Sequence, residues 1–147
     1  MKSAKLLVSI IFIYVLIVLP SCKGKGEDPG PEETEAQRIT ALLTSSSWKL
    51  KSVTVDGVAK NMFTNMGITF TSSTFSATNG SPVWPSSGTW TFNDDTAKSF
   101  KRDDQTTVSI DAIDANNLTL SLDWTKTTVG PGRSQSVAGK HVFVLGK

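Results

Sequence analysis

The 147-residue sequence has one cysteine, one histidine and one tyrosine. A single cysteine excludes an internal disulfide framework, and a single histidine excludes the histidine-rich ligand sets of most transition-metal sites. The acidic pairs Asp94-Asp95 and Asp103-Asp104 do not follow the spacing of a calcium-binding loop. Since His141 has no serine, cysteine or acid close to it in sequence, it is interpreted as a surface or packed residue. We therefore predict no enzyme activity, no metal site and no cofactor.

The sequence also lacks a surplus of charge of one sign. Its formal net charge is +2, and loss of an N-terminal segment with Lys2 and Lys5 lowers that charge to zero. A neutral chain without a cluster of lysines or arginines has no long-range field to attract phosphates. We predict that it does not bind nucleic acid.

Only one long apolar run is present, from Leu6 to Leu19, and it follows the positive charges of Lys2 and Lys5. Its 14 residues match the apolar region of a secretory signal and are fewer than the roughly 20 that a membrane-spanning helix needs. We predict a signal peptide over residues 1–21, with an uncleaved single-pass anchor as the alternative.

The segment Leu19-Pro20-Ser21-Cys22 resembles the lipobox of bacterial lipoproteins. The resemblance implies that Cys22 is acylated, with palmitate or a similar chain, and becomes the mature N-terminus held at the membrane. Acylation also accounts for a lone thiol in a secreted chain. Lys23 stands where an aspartate often signals inner-membrane retention, so the resemblance favours the outer membrane. The segment from Lys25 to Asp28 resembles signals that send some lipoproteins to the cell surface; a solvated spacer is the alternative, and periplasmic and surface-exposed locations both stay open.

After Cys22 the chain is polar as far as residue 40 and rich in glycine, proline and charge. Such a composition cannot bury enough apolar surface to offset chain entropy, which predicts a disordered tether over residues 22–40. A short helix is possible over residues 33–46, where Ile39, Leu42 and Leu43 share one face.

Residues 41–147 alternate in polarity and are rich in threonine, serine and valine, with turn residues every eight to twelve positions. This pattern predicts an all-β domain, which we interpret as a small eight-stranded antiparallel up-and-down barrel. The predicted strands cover residues 48–55, 67–71, 74–78, 89–92, 99–102, 106–114, 118–125 and 141–145. The predicted barrel core contains Trp48, Phe70, Trp90, Phe92, Leu120 and Trp124.

The short motifs in these strands resemble the small lipocalin-like domains of Bacteroidetes lipoproteins. They are Ser47-Trp48-Lys49-Leu50, Asp56-Gly57, Ile68-Thr69-Phe70, Ser87-Gly88-Thr89-Trp90 and Leu118-Thr119-Leu120. The resemblance implies a barrel closed at the bottom by Trp48. In lipocalins an arginine from the end of the chain stacks on that tryptophan, and here Lys140 and Lys147 are the cations near the end. It also implies a small apolar or amphipathic ligand.

In an up-and-down barrel the connections after odd-numbered strands open at one end. Here these cover residues 56–66, 79–88, 103–105 and 126–140, and three of the four have ten or more residues. Long loops at one end of a barrel commonly bind ligands. The candidate ligand-binding residues in these loops are Met62, Phe63, Met66, Trp84 and Arg133. Arg133 is the candidate anchor for a carboxylate or phosphate.

Two functions follow from these observations. The first is a membrane-anchored binding protein that holds a small apolar or amphipathic ligand among the long loops. The second is a structural or interaction module of the cell envelope that contacts a partner protein or a glycan, with Trp84 exposed for stacking. An eight-stranded barrel can hold either side chains or one small ligand, so a hollow interior favours the first function and a filled interior the second.

Overall fold

The structure is a computed structural model that describes residues 32–130 and 133–147, apart from the side chains of residues 130 and 133–135. One compact unit spans Glu33–Lys147. The predicted signal peptide and Cys22 lie outside the described residues. Within the described ranges no helix has the length and apolar character needed to cross a membrane.

The first element is helix α1, Glu35–Thr44. It begins at a capping box, in which the Thr34 hydroxyl accepts from the Gln37 backbone and the Gln37 side chain accepts from the Thr34 backbone. Ile39 and Leu43 are buried. Because this helix packs on the barrel and starts inside the segment predicted as tether, the folded unit begins near Glu33 rather than at residue 41.

Within the described residues eleven strands follow the helix, and eight of them form the barrel wall. The wall consists of β1 (Ser47–Val55), β3 (Gly67–Phe70), β4 (Thr74–Thr78), β5 (Ser87–Phe92), β6 (Ser99–Arg102), β7 (Thr107–Ile113), β8 (Asn117–Trp124) and β11 (Gly139–Gly146). The other strands are β2 (Val58–Lys60), β9 (Thr128–Gly130) and β10 (Arg133–Ser136).

Every neighbouring pair of wall strands is antiparallel, and β11 pairs with β1 to close the sheet. The register at this closure places Val53 opposite Phe143 and Val55 opposite His141. The predicted eight-stranded antiparallel up-and-down barrel is therefore confirmed. Three strands are additional to the prediction: β2 forms a hairpin with β1, and β9 and β10 form a separate hairpin.

The two ends of the barrel differ in their connections. The end that we call the loop-rich end carries residues 56–66, 79–86, 103–106 and 125–138. The opposite end, called the closed end, carries the connections 71–73, 93–98 and 114–116, none longer than six residues. Trp48 lies at the closed end, where its Nε1 donates to the Leu43 carbonyl at 2.9 Å. Lys147 Nζ lies 5.3 Å from the centre of the Trp48 ring, so Lys147 supplies the cation at this tryptophan.

The barrel interior is filled by a continuous cluster of buried side chains. Of the predicted core residues, four are buried in it: Trp48, Phe70, Trp90 and Leu120. Phe92 and Trp124 are partly buried and pack against its edge. The cluster runs from Leu43 at the closed end to Trp84 at the loop-rich end.

Candidate functional site

Three of the predicted ligand-binding residues converge at the loop-rich end. Phe63 and Met66 come from the connection between β2 and β3, and Trp84 comes from the connection between β4 and β5. All three are buried, while Met62 is half-buried against the same cluster. Arg133 begins β10, and its side chain lies outside the described residues. The long loops thus bring the apolar candidates together but fold them inward.

Trp84 is fully buried and reaches into the barrel interior. Its ring meets Phe75 edge-on with centroids 5.6 Å apart, and Phe143 edge-on with centroids 6.1 Å apart. Edge-to-face pairs at this spacing add to the stability gained from burial alone. Because no part of the indole is exposed, Trp84 does not offer the open ring that stacking on a glycan requires.

Arg102, at the end of β6, holds the Trp84 loop in place. Its guanidinium carbon lies 4.8 Å from the centre of the Trp84 ring, and its Nη1 donates to the Val83 carbonyl at 3.0 Å. The other guanidinium nitrogens donate to both carboxylate oxygens of Asp104, at 3.1 and 2.5 Å. Burial acts to raise the pKa of Asp104, but the hydrogen bonds from Arg102 and Thr106 outweigh it and lower that pKa. Arg102 is thus a buried cation whose charge is already paired.

Phe63 lies over the inner wall of β11. Its ring centroid is 5.6 Å from that of Phe143 and 6.3 Å from that of His141, and those two rings stack on each other at 5.9 Å. Phe63 adopts a φ of 58°, a left-handed conformation that is unfavourable for a bulky L-residue. We call the group formed by Phe63, Phe75, Trp84, His141 and Phe143 the mouth cluster.

His141 is buried, with none of its surface exposed. Its Nδ1 lies 3.1 Å from the Gly139 carbonyl, which can only accept, so Nδ1 carries the proton and Nε2 of the neutral ring is an acceptor. Burial lowers the pKa of His141 below its usual value, although the Gly139 hydrogen bond and the Asp56 charge act in the opposite direction. The neutral ring is therefore the favoured form near pH 7.

Two buried polar atoms in the mouth cluster have no hydrogen-bond partner among the described residues. They are Trp84 Nε1, a donor, and His141 Nε2, an acceptor in the neutral ring. A buried polar group without a partner costs about 1–3 kcal/mol. The Trp84 and His141 rings each contact the Phe143 ring.

Arg102 and His141 are not among the site residues predicted from the sequence. The period-two alternation of the strands indicates both residues. It places Arg102 with Phe100 on the inner face of β6, and His141 with Phe143 and Leu145 on the inner face of β11. A polar residue at an inward position of a small barrel is informative, because it must be paired or must serve a site.

A groove of about 540 Å³ lies over β1, β3 and β4. Hydroxyl groups line much of it, and two of them, Ser47 Oγ and Thr69 Oγ1, bond to each other at 2.7 Å. Such a surface is solvated without a ligand. Within residues 32–130 and 133–147 there is no group of three or more histidine, cysteine, aspartate or glutamate residues placed to hold a metal ion.

No protein-family model, curated protein or solved structure matches the chain. Its function is therefore argued from its own residues.

Proposed function

We propose that the chain is a lipid-anchored protein of the bacterial outer membrane whose barrel binds one small apolar or amphipathic ligand at the loop-rich end. The observation that carries the binding proposal is the pair of unpartnered polar atoms in the mouth cluster, Trp84 Nε1 and His141 Nε2. They lie among aromatic rings, an arrangement typical of sites that combine apolar contact with a few polar groups.

The free-energy cost of burying unpaired polar atoms favours a ligand that forms hydrogen bonds with them. Buried polar atoms in folded proteins are nearly always hydrogen-bonded to protein or to ordered water. A molecule that pairs with Trp84 Nε1 and His141 Nε2 offsets the cost of burying them, and the aromatic rings supply its apolar contacts. Binding is then expected to stabilise the fold.

The filled interior limits the size of the ligand. Trp84, Phe143 and Leu120 are each fully buried along the barrel axis. A long chain cannot enter without displacing them, and displacing packed side chains is costly. We therefore propose a ligand about the size of one side-chain ring or a short chain, held near the loop-rich end.

The anchor proposal is supported by the charged start, the apolar run and the lipobox-like segment that ends at Cys22. Mass spectrometry of chain extracted from host membranes is expected to show a mature N-terminus at an acylated Cys22. The control is Cys22→Ala, which is expected to lose the modification. A soluble, unmodified product that retains Cys22 contradicts the proposal.

Binding is tested on residues 33–147, the compact unit, by tryptophan fluorescence during titration with fatty acids, alcohols and other amphiphiles. We expect saturable quenching or a spectral shift for part of the panel. Trp84→Phe is expected to weaken the binding, whereas Trp124→Phe is expected to retain it, because Trp124 Nε1 already bonds to Ser136 Oγ at 3.2 Å. Flat titrations across the panel contradict the binding function.

A second candidate function, an interaction module of the envelope, is favoured by the filled interior of the barrel and by two exposed valines on the hairpins. Val58 on β2 and Val129 on β9 are 58% and 74% exposed. Because β2 also ends the hydrogen-bonded sheet, it offers an edge to a protein partner. Photo-crosslinking from positions 58 and 129 in host membranes tests this candidate. A reproducible envelope-protein adduct from these two positions that is absent when the crosslinker stands at the exposed position 101 on β6 supports it, and the lack of such an adduct favours ligand binding.

A further inference from the structure

We infer that the mouth cluster binds a neutral molecule with a flat apolar body and at least one hydroxyl group, which takes the place of the Phe63 ring and donates a hydrogen bond to the unpartnered Nε2 of the adjacent His141. This inference rests on the proposed binding function and specifies its ligand class.

The hydroxyl group follows from the acceptor role of His141 Nε2, which requires a donor. Trp84 Nε1 only donates, and His141 Nε2 accepts because the Gly139 carbonyl fixes the proton on Nδ1. A hydroxyl is a small neutral group that donates to a bare ring nitrogen. A hydrocarbon offers no donor and leaves His141 Nε2 unpaired.

A carboxylate ligand does not fit the same groups. An ionised carboxylate accepts only, so it cannot donate to His141 Nε2, and burying its charge requires a cation. The buried cation in this region is Arg102, and its guanidinium is already bonded to both carboxylate oxygens of Asp104 and to the Val83 carbonyl. The mouth cluster therefore favours a neutral alcohol or phenol over a fatty-acid anion of similar size.

Phe63 is the side chain that a ligand can replace at the lowest cost. It is 8% exposed, whereas Trp84 and Phe143 are fully buried. It lies in the connection between β2 and β3 and not in the barrel wall, and its left-handed φ of 58° is relieved when the loop moves. Its ring covers His141 and Phe143, so its departure leaves a ring-sized space beside His141.

The test uses the full chain in mild detergent with two water-soluble probes of nearly the same shape, 4-fluorophenol and fluorobenzene, followed by fluorine NMR. We expect 4-fluorophenol to bind roughly three- to tenfold more tightly than fluorobenzene, the ratio that one net hydrogen bond supplies. The double variant Trp84→Phe/His141→Phe keeps aromatic rings at both positions and removes both polar atoms. It is expected to lose the preference for the phenol.

Phe63→Ala tests independently whether the ligand takes the place of the Phe63 ring, because the space left by truncating a buried apolar side chain accepts small aromatic molecules. We expect it to bind both probes more tightly than the unaltered chain and to retain the preference for 4-fluorophenol. The matched control is Phe92→Ala, a phenylalanine partly buried at the closed end, which is expected to leave both affinities unchanged.

The outcomes separate the inference from the proposed function. If fluorobenzene binds as tightly as 4-fluorophenol to Phe63→Ala, or the preference survives the double variant, the hydroxyl inference is wrong while binding stands. If Phe63→Ala does not improve the affinity, the displacement of Phe63 is wrong. If neither probe binds any variant and the amphiphile panel is also flat, both the inference and the proposed function fail.

Discussion

The guanidinium of Arg102 lies 4.8 Å from the centre of the buried Trp84 ring and donates to the carbonyl of Val83, the residue before Trp84. One side chain from the barrel wall thus fixes both the ring and the backbone of the loop that fills the mouth. Since Arg102 also pairs with Asp104, its positive charge is compensated where it is buried.

Arg102→Met is expected to lower the free energy of unfolding by about 3 kcal/mol, because it leaves the Val83 carbonyl and the Asp104 carboxylate without their partner. Urea unfolding followed by tryptophan fluorescence measures the change. The control is Lys101→Met, the exposed neighbour on the same strand, which is expected to change the stability by less than about 0.5 kcal/mol. Equal effects from the two variants would show that Arg102 does not hold the loop.

Leu43→Ala tests whether α1 belongs to the barrel fold. Leu43 is fully buried, so truncating its side chain is expected to cost about 2–5 kcal/mol. Leu42→Ala on the same helix is the control, since Leu42 is only half-buried, and a smaller loss is expected. Thermal unfolding of both variants provides the comparison. A Leu43→Ala protein as stable as the parent contradicts the packing of the helix on the barrel.

Alanine substitutions at two glycines with positive φ distinguish the cost of backbone strain from the added cost of a steric clash. Gly57 has a φ of 78° and open space where a Cβ would lie, so Gly57→Ala is expected to cost about 1 kcal/mol from the backbone alone. Gly139 has a φ of 139°, and a Cβ there would overlap the carboxylate of Asp56, which also accepts from Lys140 N at 2.8 Å. Gly139→Ala is therefore expected to lower the melting temperature more than Gly57→Ala does. The reverse order would contradict this contact.

Stability is expected to depend on pH through His141. Burial lowers its pKa in the folded state below the ordinary value of 6.5, so the unfolded chain binds the proton more readily. The stability is complete above about pH 6.5 and falls as the pH drops from there through the lowered folded-state pKa. The Asp56 charge acts on the ring, whereas the neighbouring Phe63 and Leu122 are uncharged.

His141→Phe is expected to flatten this part of the pH profile. The carboxyls of Asp94, Asp104 and Asp114 have pKa values lowered from 3.8, so their contributions are lost only at more acidic pH. Urea midpoints measured between pH 4.5 and 7.5 distinguish the two proteins. A parent chain whose midpoint is flat across this interval would mean that His141 is not buried in its neutral form.

The sequence predicted the barrel because its local signals agree with the global fold. Alternating Leu118, Leu120 and Leu122 lie on the inner face of β8, and Asp56-Gly57 forms the turn after β1. Both turn residues have positive φ, a conformation that aspartate and glycine tolerate better than most residues, so the Asp-Gly pair predicted this turn correctly. The strands over residues 74–78 and 99–102 have the predicted bounds.

The candidate site was only partly predictable. The order of the predicted strands placed Phe63, Met66 and Trp84 at one end, because connections after odd-numbered strands share an end. Whether a loop points outward or folds into the barrel depends on contacts from distant strands. For Trp84 the deciding contacts come from Phe75, Arg102 and Phe143. The roles of Arg102 and His141 depend on the groups that surround them in the fold. Val83, to which Arg102 donates, is distant in sequence, and nothing near His141 in the chain indicates that its Nε2 has no partner.

The most direct test of the account is native mass spectrometry of the full chain purified gently from its own host. We predict a noncovalent adduct of one small neutral molecule that bears a hydroxyl group, and its loss from the Trp84→Phe/His141→Phe variant prepared in the same way. A chain free of any such adduct, together with flat titrations by the amphiphile panel, would contradict a binding site at the loop-rich end.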